Sequence, residues 1–97
     1  MREAEYRSFL EDAESINSKS KAVRSRVSRA YTAEEIMGCS LDYIVTDDER
    51  MYDALVKIRA DPRESNGKIQ NAVRWYYKFV NKKDFPRLSS YCRSKRV

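Results

Sequence analysis

Histidine is absent from the 97 residues, and only two glycines, two prolines and two cysteines occur. Without histidine the commonest general base and the commonest metal ligand are missing. A catalytic centre would have to be assembled from Asp, Glu, Lys, Tyr or Cys, and no spacing of these residues suggests one. The expectation is a non-enzymatic chain with no cofactor, metal or small-molecule substrate. Few glycines and prolines mean few breakers, which points to helices. Cys39 and Cys92 are far apart and form no CxxC pair, which fits free thiols in a reducing cytoplasm better than a disulfide. No apolar run approaches the roughly 18 to 20 residues of a membrane span. The opening Met1-Arg2-Glu3-Ala4-Glu5 lacks the layout of a secretory signal.

Charge is what the chain has in plenty. Charged residues make up 36% of it and apolar ones 41%, with a net charge of +5. One modest core and slender amphipathic elements follow from that balance. The charge is segregated. Residues 17–31 hold Lys19, Lys21, Arg24, Arg26 and Arg29 with no acid, whereas residues 32–49 hold Glu34, Glu35, Asp42, Asp47, Asp48 and Glu49 with no base. Residues 82–97 are basic again, with Asp84 their only acid. Basic blocks of this kind meet polyanions or acidic partners. The acids do not follow a calcium-loop pattern and read as helix caps.

Apolar spacing predicts an all-α bundle of four to five helices over residues 1–81, followed by a basic tail or linker over 82–97. Tyr6, Phe9, Leu10, Ala13 and Ile16 make one stripe over residues 2–16. Ser18 or Ser20 is the expected N-cap of a basic helix whose inner side holds Val23, Val27, Ala30 and Tyr31. Thr32 and Glu35 have capping-box spacing, which predicts a restart or kink there, and Gly38 a stop. Leu41, Tyr43, Ile44 and Val45 read as a short buried turn, and Thr46 with Glu49 as a second capping box. Met51, Ala54, Leu55 and Ile58 mark a helix over 50–60 that ends at Asp61-Pro62. The strongest stripe is Ile69, Ala72, Val73, Tyr76, Phe79 and Val80, a helix within 66–81 that Asn66 and Gly67 open and Asn81 closes. In the tail, Phe85-Pro86, Leu88 and Tyr91 are candidates to fold back onto the body.

The polar sides of two helices carry the candidate site. On the basic helix, Lys21, Arg24, Ser25 and Arg29 set small hydroxyls between long cations, which suits phosphate contacts. On the last helix Asn71, Arg74, Lys78 and the following Lys82 share the side away from the apolar stripe. Trp75 shares that side, off the apolar stripe, where an aromatic packs on a neighbouring element or stacks on a base.

The decapeptide Ala72-Val73-Arg74-Trp75-Tyr76-Tyr77-Lys78-Phe79-Val80-Asn81 resembles the last helix of the SAM-like core-binding domain of tyrosine recombinases (phage integrases). Ser18-Lys19-Ser20-Lys21-Ala22-Val23 is similar to the start of that domain's basic helix. The resemblance covers roughly residues 5–81. It implies a SAM-like bundle that clamps one side of duplex DNA, with Lys21, Arg24, Ser25 and Arg29 on phosphates and Asn71, Arg74 and Lys78 near a groove. A recombinase's catalytic Arg, His and Tyr set is missing from these 97 residues, and the acidic middle would repel DNA on its flank.

The function expected is therefore a non-catalytic DNA-binding module. The alternative is a helical adaptor that binds a protein partner, or another copy of itself, through opposed acidic and basic faces. Membrane attachment is disfavoured, because the basic helix has no large apolar face left to insert.

Overall fold

The computed structural model describes residues 1–12, 19–89 and 91. It is an all-α bundle of five helices: α1 (Glu3–Asp12), α2 (Lys19–Met37), α3 (Leu41–Val45), α4 (Asp48–Arg59) and α5 (Lys68–Asn81). No strand occurs among the described residues. Helix α5 packs against each of the other four, and α2 is its largest neighbour. Ile69, Ala72, Val73 and Tyr76 of the expected stripe are buried, with Phe79 and Val80 half-buried beside them.

Helix α5 begins directly after the Asn66-Gly67 start signal, with Gly67 at its N-cap. Asn66 and Gly67 are both left-handed, with φ of 55° and 74°, and Gly67 at the N-cap has no side chain with which to cap the helix. The carboxylate of Glu64 does so, accepting from Ile69 N–H and Gln70 N–H at 2.8 Å each. A negative group over a helix N-terminus meets both the free N–H donors and the dipole. Asn81 closes the helix as expected, and its amide donates to the Val45 carbonyl at 3.0 Å.

Four local signals were overridden. Helix α2 runs unbroken through Thr32, whose hydroxyl donates back to the Ser28 carbonyl at 3.2 Å. Ala33 and Ile36 prolong its buried stripe, so packing outweighs the capping box, and Gly38 (φ 72°) ends the helix. Ser20 lies inside α2 rather than at its N-cap position; Ser18, like Ala13 and Ile16 of the first stripe, falls outside the described residues. Asp47 caps α4 in place of Thr46, accepting from Glu49 N–H at 2.8 Å. The fourth signal concerns tyrosines. Tyr31 is 42% exposed and Tyr43 54% exposed, although both were expected inside. Ala30 takes the inward position beside Tyr31, whose phenol donates to Glu3 instead. Tyr43 lies against the Arg50 guanidinium, 3.9 Å from the ring centroid. Tyr77, off the α5 stripe, is buried and donates to Asp48 at 2.9 Å.

The segment after α5 returns to the body. Phe85 is 4% exposed, edge-on to Tyr77 and stacked with Tyr91. Tyr91 stacks on Tyr52 and donates to Glu49 at 3.1 Å. Across the other end, Tyr76 donates to Asp42 at 2.6 Å and accepts from the Arg2 N–H at 2.9 Å. Burial, with the neighbouring Asp42 carboxylate, pushes the Tyr76 phenol up to about 12, so it stays a neutral donor. Cys39 is a half-buried free thiol, and Cys92 falls outside the described residues.

Candidate nucleic-acid interface

Helical spacing sets Lys21, Ser25 and Ser28 on the outward side of α2, with Arg24 and Arg29 flanking them. In the structure these five line one concavity of about 380 Å³. Lys21, Arg24 and Ser28 are exposed, and Ser25 and Arg29 are half-buried. The two serines keep its floor low between the cations. All four residues proposed on this helix from the sequence are thus brought together.

The acids of residues 34–49 are engaged elsewhere. Glu34 pairs with the amino terminus at 3.2 Å and accepts from Leu41 N–H. Asp42 takes Arg2 at 3.0 Å, Asp47 takes Arg50 at 3.5 Å, and Glu35 faces Arg63 at 3.6 Å. Asp48 and Glu49 accept from Tyr77 and Tyr91. Among the described residues, Lys21, Arg24, Arg29 and Lys68 form no ion pair with any acid. Among the described residues, the cations of the α2 concavity are therefore left without an acidic partner.

The α5 set is arranged differently. Asn71, Arg74 and Lys78 line a separate concavity of about 300 Å³ with Trp75, Asp84 and Phe85. Its cations are held locally. Arg74 donates to the carbonyls of Phe85 and Pro86 at 2.9 and 3.1 Å, which ties down the segment after the helix. Burial lowers the Arg74 pKa from its ordinary value. Lys78 reaches Asp84 at 3.5 Å and lies 5.4 Å from the Trp75 ring centroid. Lys82 is exposed at the left-handed C-cap and lines neither concavity. Trp75 packs edge-on against Phe9 and carries the Arg26 guanidinium 5.4 Å from its centroid. This is the packing role, and it joins α1, α2 and α5.

Sequence reasoning missed a third grouping. Arg29 also borders a concavity lined by Thr32, Arg63, Ser65, Lys68 and Ile69. Arg63 sits in the α4–α5 loop and Lys68 opens α5, so no single helical wheel places them beside Arg29. Their basic character was legible, but their convergence depends on how α2 and α5 pack.

Among the described residues no three acidic or cysteine side chains gather as a metal site requires. No helix among them is long and apolar enough to cross a membrane. Comparison of the chain with protein families, curated proteins and solved structures finds no match to any of them.

Proposed function

We propose that this chain is a non-catalytic DNA-binding module whose α2 face rests on the phosphates of a duplex. The observation that carries the reading is the concavity of Lys21, Arg24, Ser25, Ser28 and Arg29, whose cations form no ion pair with an acid among the described residues. Long cations around short hydroxyls can meet successive phosphates while the backbone comes close. Binding releases the counterions condensed on DNA, so affinity falls steeply with salt. In this reading Asn71, Lys78 and Lys82 lie toward a groove beside the phosphate contacts, and Arg74 holds the segment that follows. The SAM-like bundle and the likeness of Ala72–Asn81 to integrase core-binding domains belong to the same proposal. Affinity for a random duplex is about micromolar or weaker at physiological salt, the usual non-specific range.

The test is anisotropy of a labelled duplex of about 25 base pairs, titrated across a salt series. A log–log slope of about −0.9 per phosphate contacted is expected. Charge reversal at Arg24, Arg29 and Lys78 together abolishes binding in a protein that still melts cooperatively. Unchanged affinity in that folded variant removes the face.

A second reading rests on the concavity lined by Tyr31, Glu34, Glu35, Cys39 and Ser40, which is acidic where the α2 face is basic. Opposed faces of this kind support head-to-tail association of copies, or an adaptor for a basic partner. Sedimentation that shows salt-sensitive self-association, with no DNA binding, favours it.

A further inference from the structure

The concavity beyond Arg29 measures about 360 Å³ and takes one cation from each of three elements. Arg29 comes from α2, Arg63 from the α4–α5 loop and Lys68 from the first turn of α5. Thr32 and Ser65 stand between them, over the buried Ile69. Arg29 lines this concavity and the α2 concavity alike, so the two adjoin, and their cations follow one another along a basic track.

Arg63 is oriented with unusual care for a loop residue. Its Nε and Nη2 donate to the two oxygens of Asp61 at 3.1 and 3.3 Å, and its own N–H donates to Asp61 at 2.8 Å. One edge of the guanidinium is thereby fixed. The remaining nitrogen, Nη1, lies 3.6 Å from the Glu35 carboxylate. That distance is too long for a charge-assisted hydrogen bond, and the Glu35 side chain is 74% exposed. An exposed pair of this kind is weak and readily exchanged for another anion. A phosphate diester matches the forked donors of arginine better than a distant carboxylate does.

Building on the nucleic-acid reading above, we infer that this second concavity seats a further backbone phosphate of the bound strand, and that Glu35 holds its place at Arg63 in the free protein. Asp61 acts as the positioning residue, keeping Nη1 directed into the track while Glu35 swings out. Lys68 and Arg29 close on the phosphate from either side. Glu35 is then an internal competitor. It lowers affinity for any anion too weakly held to displace it, and yields to a strand already engaged by Lys21, Arg24 and Arg29.

The test uses the same duplex titration on the full chain with four substitutions. Glu35, Arg63, Lys68 and Glu5 are all exposed, so the variants keep the fold, which a thermal melt verifies. Glu35→Gln is expected to tighten binding several-fold at fixed salt. Lys68→Ala is expected to reduce the salt slope by about one phosphate. The gain from Glu35→Gln disappears when Arg63→Ala is also present, and Glu5→Gln on α1 changes little. A Glu35→Gln gain that survives loss of Arg63, or that Glu5→Gln equals, overturns the inference, as does an unchanged slope in Lys68→Ala. Failure of the unsubstituted protein to bind at low salt removes the nucleic-acid reading itself, a result distinct from binding that ignores Glu35.

Discussion

The phenol of Tyr6 donates a 2.8 Å hydrogen bond to the main-chain carbonyl of Ala72, across 66 residues of sequence. Both residues are fully buried, and the bond fastens α1 to the middle of α5. Burial pushes the Tyr6 phenol well above its ordinary value, so it stays a donor at any physiological pH. Tyr6 also packs edge-on to Tyr76, with ring centroids 5.0 Å apart, so its ring and its hydroxyl contribute separately.

Substitution separates the two. Tyr6→Phe keeps the ring and removes only the hydroxyl; the Ala72 carbonyl, inside a helix, retains its main-chain partner. The expected cost is about 1 kcal/mol, a fall in Tm of roughly 4–8 °C for a domain of this size. Tyr6→Ala empties the site and costs about 3–5 kcal/mol, as for other buried aromatics. Urea melts of the two variants measure the difference. Equal losses would mean that the hydrogen bond, and not the ring, holds α1 in place.

Acid weakens the fold most through the part-buried carboxylates Asp42 and Glu64. Burial pushes the Asp42 carboxyl up, but the donors Tyr76 and Arg2 outweigh it and hold Asp42 below its ordinary 3.8. Glu64 is likewise pushed up by burial and held below 4.5 by the N–H groups of Ile69 and Gln70. A carboxyl with a lowered folded value binds protons first in the unfolded chain. Its stabilisation is therefore complete above the unfolded value and is lost as pH falls through the folded one. Stability should hold steady above about pH 5 and decline below it. Glu64→Ala removes the α5 cap at a cost of about 1 kcal/mol at neutral pH and flattens part of the acid decline. Guanidinium melts from pH 3 to 7, at constant ionic strength, read both effects. A Glu64→Ala curve parallel to the parent's would mean that the carboxylate makes no contribution through its charge.

These carboxylates mark where the sequence stops being legible. The stripe of α5 and the inward set of α4 follow from spacing alone, because each is a contiguous helical face. Tyr77 did not, since a wheel allots a helix one buried side, whereas α5 packs against all four other helices and Tyr77 meets Asp48 of α4. Thr32 misled for the converse reason. A capping box is a local offer to stop, and the buried Ala33 and Ile36 made continuing more favourable. The site divides the same way. Lys21, Arg24, Ser25 and Arg29 were readable because four residues within nine share a face. Arg63 and Lys68 were not, because only the packing of α2 on α5 brings them to Arg29. Arg74 looked equivalent to Lys78 on the wheel, and nothing local shows that its donors are taken by the carbonyls of Phe85 and Pro86.

Cations held by the fold and cations open to a ligand should therefore respond differently to removal. The Nε of Arg26 is buried with no hydrogen-bond partner, and its guanidinium lies against the single tryptophan, Trp75. Arg26→Met keeps the apolar stem and removes an unsatisfied donor, so stability is unchanged within about 1 kcal/mol or rises. The Trp75 emission shifts as its cation leaves, while the salt dependence of DNA binding stays as it was. Arg74→Ala also leaves the salt slope alone, yet it costs about 1–3 kcal/mol because two charged hydrogen bonds to the returning segment are lost. Lys21→Ala and Arg24→Ala do the opposite: stability moves by less than about 0.5 kcal/mol, and each lowers the slope by about one phosphate. Thermal melts and salt titrations of these four variants sort the cations into two groups. A slope that falls in Arg74→Ala but not in Lys21→Ala or Arg24→Ala would move the proposed interface from α2 to the concavity beside Trp75.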